Sequence, residues 1–249
     1  MKKVLFLADE QIPYQIDLGP VNKFIKDFKP DVLCRLGDML DMTALTGWTS
    51  LSPEAVDWDD IRKEINIANG IFDEQDALLP KGCERHFSFG NHEERLAKFR
   101  EKHKDHSYWR KNKSSIPYLM RDLKLKERGY HTHGQNDVYN IGKLYAFHGD
   151  DYGSAHLRNN LINYGVNLVY GHVHSPARWT MNSRINGSPR SAWSLGCLCN
   201  RNPKWRNGTP NMWVNGFGVA YVRDDGHFQM HQIDIIKGSF VGLDGKIYK

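Results

Sequence analysis

The sequence predicts an α/β protein that turns β-rich toward its C-terminus. Three observations carry this. Apolar runs of strand length alternate with helically spaced apolar residues in the N-terminal part. Several of those runs end at a glycine followed by a polar residue. From Arg190 onward strands and turns replace helical spacing. Alternation of this kind builds a largely parallel sheet.

Taken in order, Lys3 to Ala8 reads as a strand, and Leu18, Val21, Phe24, Ile25 and Phe28 recur at helical spacing until Pro30 stops the pattern. Asp31 to Leu36 reads as a strand ending at Gly37-Asp38, Pro53 to Leu79 as mostly helix, and His86 to Phe89 as a strand ending at Gly90-Asn91. The next segment looks helical, interrupted at Ser107 and Pro117. Strands are expected at Asp137 to Ile141, Lys143 to His148 and Asn167 to Gly171, with a helix from Ala155 to Tyr164. Gly216 to Arg223 and His227 to Ile235 read as a hairpin across Asp224-Asp225-Gly226.

With 249 residues and no low-complexity linker, one domain over 1-249 is the economical reading, carrying a basic, mainly helical insertion at about 94-131. The apolar stretch after Met1-Lys2-Lys3 is too short for a signal peptide or membrane span, so no membrane partner and a cytoplasmic location are expected. Cys34, Cys83, Cys197 and Cys199 lack CxxC spacing and read as reduced structural thiols. The net charge of +5 is uneven: Glu94 to Arg128 holds 12 Lys/Arg against 5 Asp/Glu, a local +7, which leaves −2 for the rest.

Asp9, Asp38, Asn91, His148, His172 and His174 each lie at or just past the end of an expected strand, where open α/β sheets present functional loops. One such residue could be a turn former. Six metal-binding types in that position point to a site.

Gly37-Asp38-Met39-Leu40-Asp41, Gly90-Asn91-His92-Glu93 and Gly171-His172-Val173-His174 resemble the GDxxD, GNHE and GHxH motifs of calcineurin-like metallophosphoesterases. The resemblance runs from Lys3 to about Ser175, and the β-rich tail looks most similar to phage-encoded members, which would place the protein in a host cytoplasm. It implies a four-layer α/β/β/α sandwich of two mixed sheets with flanking helices. It also implies phosphoester hydrolysis by a metal-bound hydroxide at a pair of divalent ions. By resemblance Asp38 would bridge the ions, Asp9 and His174 would hold the first, and Asn91, His148 and His172 the second. Oxygen and imidazole donors suit manganese, with iron, zinc or magnesium as alternatives. His92 would act as general acid and Asp41 would orient it.

Two positions depart from the pattern. The family's Asp-x-His reads Asp9-Glu10-Gln11, and an extended backbone would let the Gln11 amide oxygen take the histidine's place as a weaker ligand, with a water as the alternative. Met42 stands where the superfamily's protein phosphatases carry an arginine, which argues against close kinship with them.

Phe99, Tyr108, Trp109 and Tyr118 are interleaved with the basic residues of 94-128, and Arg201, Lys204, Trp205 and Arg206 form a second such cluster. This composition suits DNA or RNA as the phosphoester substrate; the opposing reading makes the aromatics core and the charges a solvated face. A broad-specificity phosphomonoesterase and a metal-free scaffold that binds a partner are the alternatives. Glu93 reads as a first-turn helix carboxylate outside the site. His86, His131, His133, His156, His227 and His231 read as structural or exposed.

Overall fold

The computed structural model describes residues 1–46, 51–112, 117–182, 187–203 and 207–249, the side chain of Arg110 excepted. In chain order the elements are β1 (Lys2–Leu7), α1 (Gly19–Phe28), β2 (Val32–Arg35), α2 (Trp58–Leu78), β3 (Glu84–Ser88) and α3 (Asn91–Lys102). Then come α4 (Ser107–Asn112), α5 (Leu119–Asp122), β4 (Tyr130–His133), β5 (Tyr139–Ile141), β6 (Leu144–Phe147), α6 (His156–Tyr164) and β7 (Asn167–Tyr170). The remainder is β8 (Ala177–Met181), β9 (Arg190–Ser194), β10 (Gly216–Val222), β11 (Phe228–Asp234), β12 (Phe240–Val241) and β13 (Ile247–Tyr248).

Two mixed sheets organise the molecule. One has the order β11-β10-β1-β2-β3-β4, the other β5-β6-β7-β9-β8. Alternation along β1 shows how they stack: Val4, Phe6 and Ala8 join the apolar layer shared with Ala146, Val169 and Trp193 of the second sheet. Leu5 and Leu7 point the other way, onto Val21, Phe24 and Ile25 of α1. On the far side of the second sheet, Phe147, Leu168 and Tyr170 pack with Leu161 of α6. The layers are therefore helix, sheet, sheet, helix, as the motifs imply.

Most expected elements appear within a residue or two. Over 53–79 the helix is split: Pro53–Ala55 forms a single tight turn, and α2 starts at Trp58 behind Asp57, whose carboxylate accepts the Asp60 N–H at 2.9 Å. The interruption expected at Ser107 falls over residues 103–106, between the end of α3 and Ser107, which begins α4. The strands β4 and β8 were not expected, and both are edge strands with only partial burial, so neither carries a continuous apolar run.

Candidate functional site

The site forms where β1, β2, β3, β6 and β7 end. Their C-terminal loops carry Asp9, Asp38, Asn91, His148 and His172 respectively. Five residues expected at the site, Asp9, Gln11, Asp38, His172 and His174, have positive φ, between 46° and 67°. Such backbone is unfavourable for residues with a side chain and is tolerated where surrounding structure holds it for a purpose. The expected extended conformation of Asp9-Glu10-Gln11 is thus corrected. Glu10 turns inward instead and pairs with Arg35 of β2 at 2.8 Å, both side chains fully buried.

Four donor atoms converge at one end. Asn91 Oδ1 lies 3.0 Å from His148 Nε2 and 2.8 Å from His172 Nδ1, and those two nitrogens are 3.2 Å apart. Asp38 Oδ2 is 3.5 Å from His148 Nε2. His148 Nδ1 is 2.7 Å from the Leu36 carbonyl, so the proton sits there and leaves Nε2 as a bare lone pair facing the amide oxygen. The imidazole held from behind by a carbonyl is the usual posture of a metal ligand, and the second imidazole and the amide oxygen sit at ligand distance from its free nitrogen. Asp38, His148 and His172 form one of two groups of candidate metal donors among the described residues.

In a second group, His174 Nε2 is 3.2 Å from Asp9 Oδ1 and 3.4 Å from the Gln11 amide nitrogen. A half-turn of that amide exchanges its nitrogen and oxygen. Gln11 therefore reaches the first cluster despite its left-handed backbone. The glycines of the motifs leave room for the donors: a Cβ on Gly90 would sit 2.1 Å from Asp38 Oδ1, and one on Gly171 would sit 2.6 Å from Asp9 Oδ2.

Asp38 is buried, which favours its neutral form. The imidazoles of His148, His92 and His172 and the His92 N–H outweigh burial and hold its pKa at about 2. His92 lies 3.7 Å from Asp38 Oδ2 through Nε2. Its Nδ1 is 2.8 Å from the main-chain carbonyl of Asp41 and 3.4 Å from the Asp41 carboxylate. Asp41, the residue expected to orient His92, thus lies beside it, with its carbonyl as the closer partner. Burial lowers the His92 pKa, but Asp38 and Asp41 raise it by more.

Sequence reasoning placed Glu93 outside the site. The structure places its carboxylate beneath Asp38, where it accepts the N–H groups of Asp38 at 3.0 Å, Leu40 at 2.9 Å and Gly90 at 2.8 Å. Burial and the Asp38 charge lift its pKa to about 7. The signal was its spacing, three residues after a helix-capping glycine. Cys197 and Cys199 were also missed; they approach His174 from outside the three motifs. Met42 is fully buried and cannot grip a substrate.

The basic segment divides. Phe99 is core in the apolar cluster over α2, and Tyr108 and Trp109, partly buried, pack on Trp58 at its margin, Trp109 also lining the cleft described next. Tyr118 is half exposed and lies over the Arg100 guanidinium. It borders a cleft of about 670 Å³ with Ala97, Arg100, Lys104 and Met120. Of the second basic cluster, Lys204, Trp205 and Arg206 lie outside the described residues.

No family model matches the chain. It is 23% identical over 272 residues to the Gene 54 protein of Mycobacterium phage D29, covering 100% of this chain and 99% of the relative. A second relative, the Gene 54 protein of Mycobacterium phage L5, is 21% identical with the same coverage. Among solved structures, Vps29 from Entamoeba histolytica, complexed with zinc, aligns with a TM-score of 0.50 and 12% identity over 96% of this chain and 95% of that one. The fold implied by the motifs is thus shared with Vps29, and the similarity to phage-encoded proteins expected from the tail is met by two phage proteins. No helix among the described residues is long and apolar enough to cross a membrane.

Proposed function

We propose that the protein is a metal-dependent phosphoesterase. The observation that carries this is the convergence of Asn91 Oδ1, His148 Nε2, His172 Nδ1 and Asp38 Oδ2 within 2.8–3.5 Å of their neighbours. Those four would hold one divalent ion, and Asp9, Asp38, His174 and Gln11 a second. When bound, such a pair supplies Lewis acidity toward a phosphoryl group and a water acidic enough to attack near neutral pH. The rest falls to the chain. Asp38, held by its own backbone contact to Glu93 and by the His92 N–H at 2.9 Å, stays ionised, as a carboxylate shared by two ions would have to. The Asp41 carbonyl fixes the His92 Nδ1 proton, so the transferable proton of the imidazolium is on Nε2, ready for a leaving-group oxygen.

Nucleic acid or nucleotides are the favoured substrate class. The helix that starts with Asn91 and His92 carries Arg100 about 12 Å further along its axis into the wall of the cleft, beside the exposed ring of Tyr118. A cation and an aromatic face together suit a phosphate followed by a base. Rates on an aryl phosphate monoester, the matching diester and single-stranded DNA, with added manganese, test this. Failure on all three with metal bound would remove the phosphoesterase reading. The Gln11 substitution favours a second reading, a scaffold that binds a partner without chemistry, for which the purified protein would hold no metal at all.

A further inference from the structure

Cys197 and Cys199 are fully buried, yet neither belongs to an apolar cluster. Cys34 lies in the apolar layer between the sheets, and Cys83 packs at the edge of the layer beneath α1. Leu198, between the two, enters that same layer. The leucine thus takes the core side, while both thiols converge elsewhere.

What the thiols face is His174. One donor atom from each of His174, Cys197 and Cys199 lies within 4.8 Å of the others, and Cys199 Sγ is 3.9 Å from His174 Nδ1. Their protein partners are otherwise long contacts: Cys197 Sγ is 3.7 Å from the Val214 carbonyl and 3.7 Å from Asn215 Nδ2. The backbone carrying them is held firmly. Asn215 Nδ2 donates to the carbonyls of Cys197 at 3.2 Å and Cys199 at 2.7 Å, and the Leu198 N–H donates to the carbonyls of Ala8 and Asp9. The Trp213 ring covers His174, 4.2 Å between centroids.

A buried cysteine that serves as a small hydrophobe touches apolar neighbours. These two instead converge with an imidazole in a buried niche whose backbone is held by hydrogen bonds. Two sulfurs and one imidazole nitrogen are donors that zinc takes and that manganese and magnesium do not. We propose that Cys197, Cys199 and His174 Nδ1 form a binding site for a soft metal ion, with zinc as the divalent ion that fits, separate from the oxygen-rich cluster at Asn91. The opposite nitrogen of His174 faces Asp9 at 3.2 Å, which holds the ring with Nδ1 toward the thiols. The ion would clamp the 197–199 segment to the loop after β7. His174 would then be shared, one nitrogen toward each site. The proposal does not depend on phosphoester hydrolysis.

The test is a cobalt titration of the reduced, metal-free full-length chain, followed in the near ultraviolet. There thiolate-to-cobalt charge transfer absorbs, and ligation by oxygen or imidazole alone does not. The expected result is a band that saturates at one equivalent, is abolished by zinc, and is lost in both Cys197→Ser and Cys199→Ser. It should survive in Cys34→Ser and in Asn91→Ala, the latter impairing the hydrolytic cluster, so that the two readings fail separately. Absence of the band in the wild type, or its persistence in both serine variants, overturns the site. If the serine variants do not fold, X-ray absorption at the zinc edge of wild-type protein loaded with one equivalent decides the matter: sulfur neighbours support the site, and nitrogen and oxygen neighbours alone overturn it.

Discussion

If Asp38 is shared by two ions, as the motif resemblance implies, Asp38→Ala should remove hydrolysis by leaving two cations with no anion between them. Retention of more than about a tenth of kcat, a barrier change of only about 1.4 kcal/mol, would be incompatible with a paired-ion centre. His92→Ala should lower kcat by about 10²–10⁴ on esters with poor leaving groups and far less on aryl esters with acidic ones, with metal content unchanged. Equal losses on both substrates would take the proton-donating role from His92. Gln11 is the position where resemblance and geometry say different things: the family's imidazole is absent, yet the amide lies 3.4 Å from His174. If it ligates, Gln11→Ala should raise the manganese concentration giving half-maximal activity, and Gln11→His should lower it. An unchanged manganese profile for both would make Gln11 a bystander.

At the scale of the element, the loop after β2 is gripped from two helices. Glu93 of α3 accepts two of its N–H groups, those of Asp38 and Leu40, and Glu64 of α2 accepts the Met42 N–H at 2.8 Å. Glu64 has one carboxylate oxygen buried without a partner, and burial lifts its pKa from 4.5 to about 8. The folded state therefore binds the extra proton more tightly than the unfolded chain. The associated stability is present below about pH 4.5 and is lost as pH rises through about 8. Thermal melts across this range should show the wild type losing stability more steeply with pH than Glu64→Gln, and parallel curves would show that Glu64 does not titrate there. The motif residues were legible because each ends an apolar run, where strand length and loop position coincide. The grip of Glu93 on Asp38 was not, since it depends on α3 starting directly beneath the β2 loop. The thiols were invisible for a similar reason: Cys199 and His174 are 25 residues apart and meet only when the segment after β9 folds back onto the loop after β7. The edge strands β4 and β8 escaped because half-exposed strands carry no apolar run to read.

Over the whole molecule, the positive segment 94–128 is partly neutralised within the fold, with Arg128 paired to Asp73 and Asp76 and Lys104 to Glu101. Lys98, Lys111, Lys124 and Lys126 remain exposed on its surface. If nucleic acid is the substrate, its KM should rise steeply with salt while that of an uncharged-alcohol aryl ester changes little, and charge reversal of Lys98 and Lys111 should flatten the slope. Salt responses that match between the two substrates would separate this segment from substrate binding. β1 lies between β2 and β10 in the first sheet, with Lys2 opposite Val222 and Phe6 opposite Gly218. During synthesis at roughly 5–20 residues per second, the strand that carries Asp9 therefore waits on the order of ten seconds or more for its second neighbour to leave the ribosome. Until then β1 is an open, apolar edge, and a ribosome that stalls before residue 216 would release a chain with every motif residue present and that edge bare for a chaperone, or for another nascent copy, to pair with.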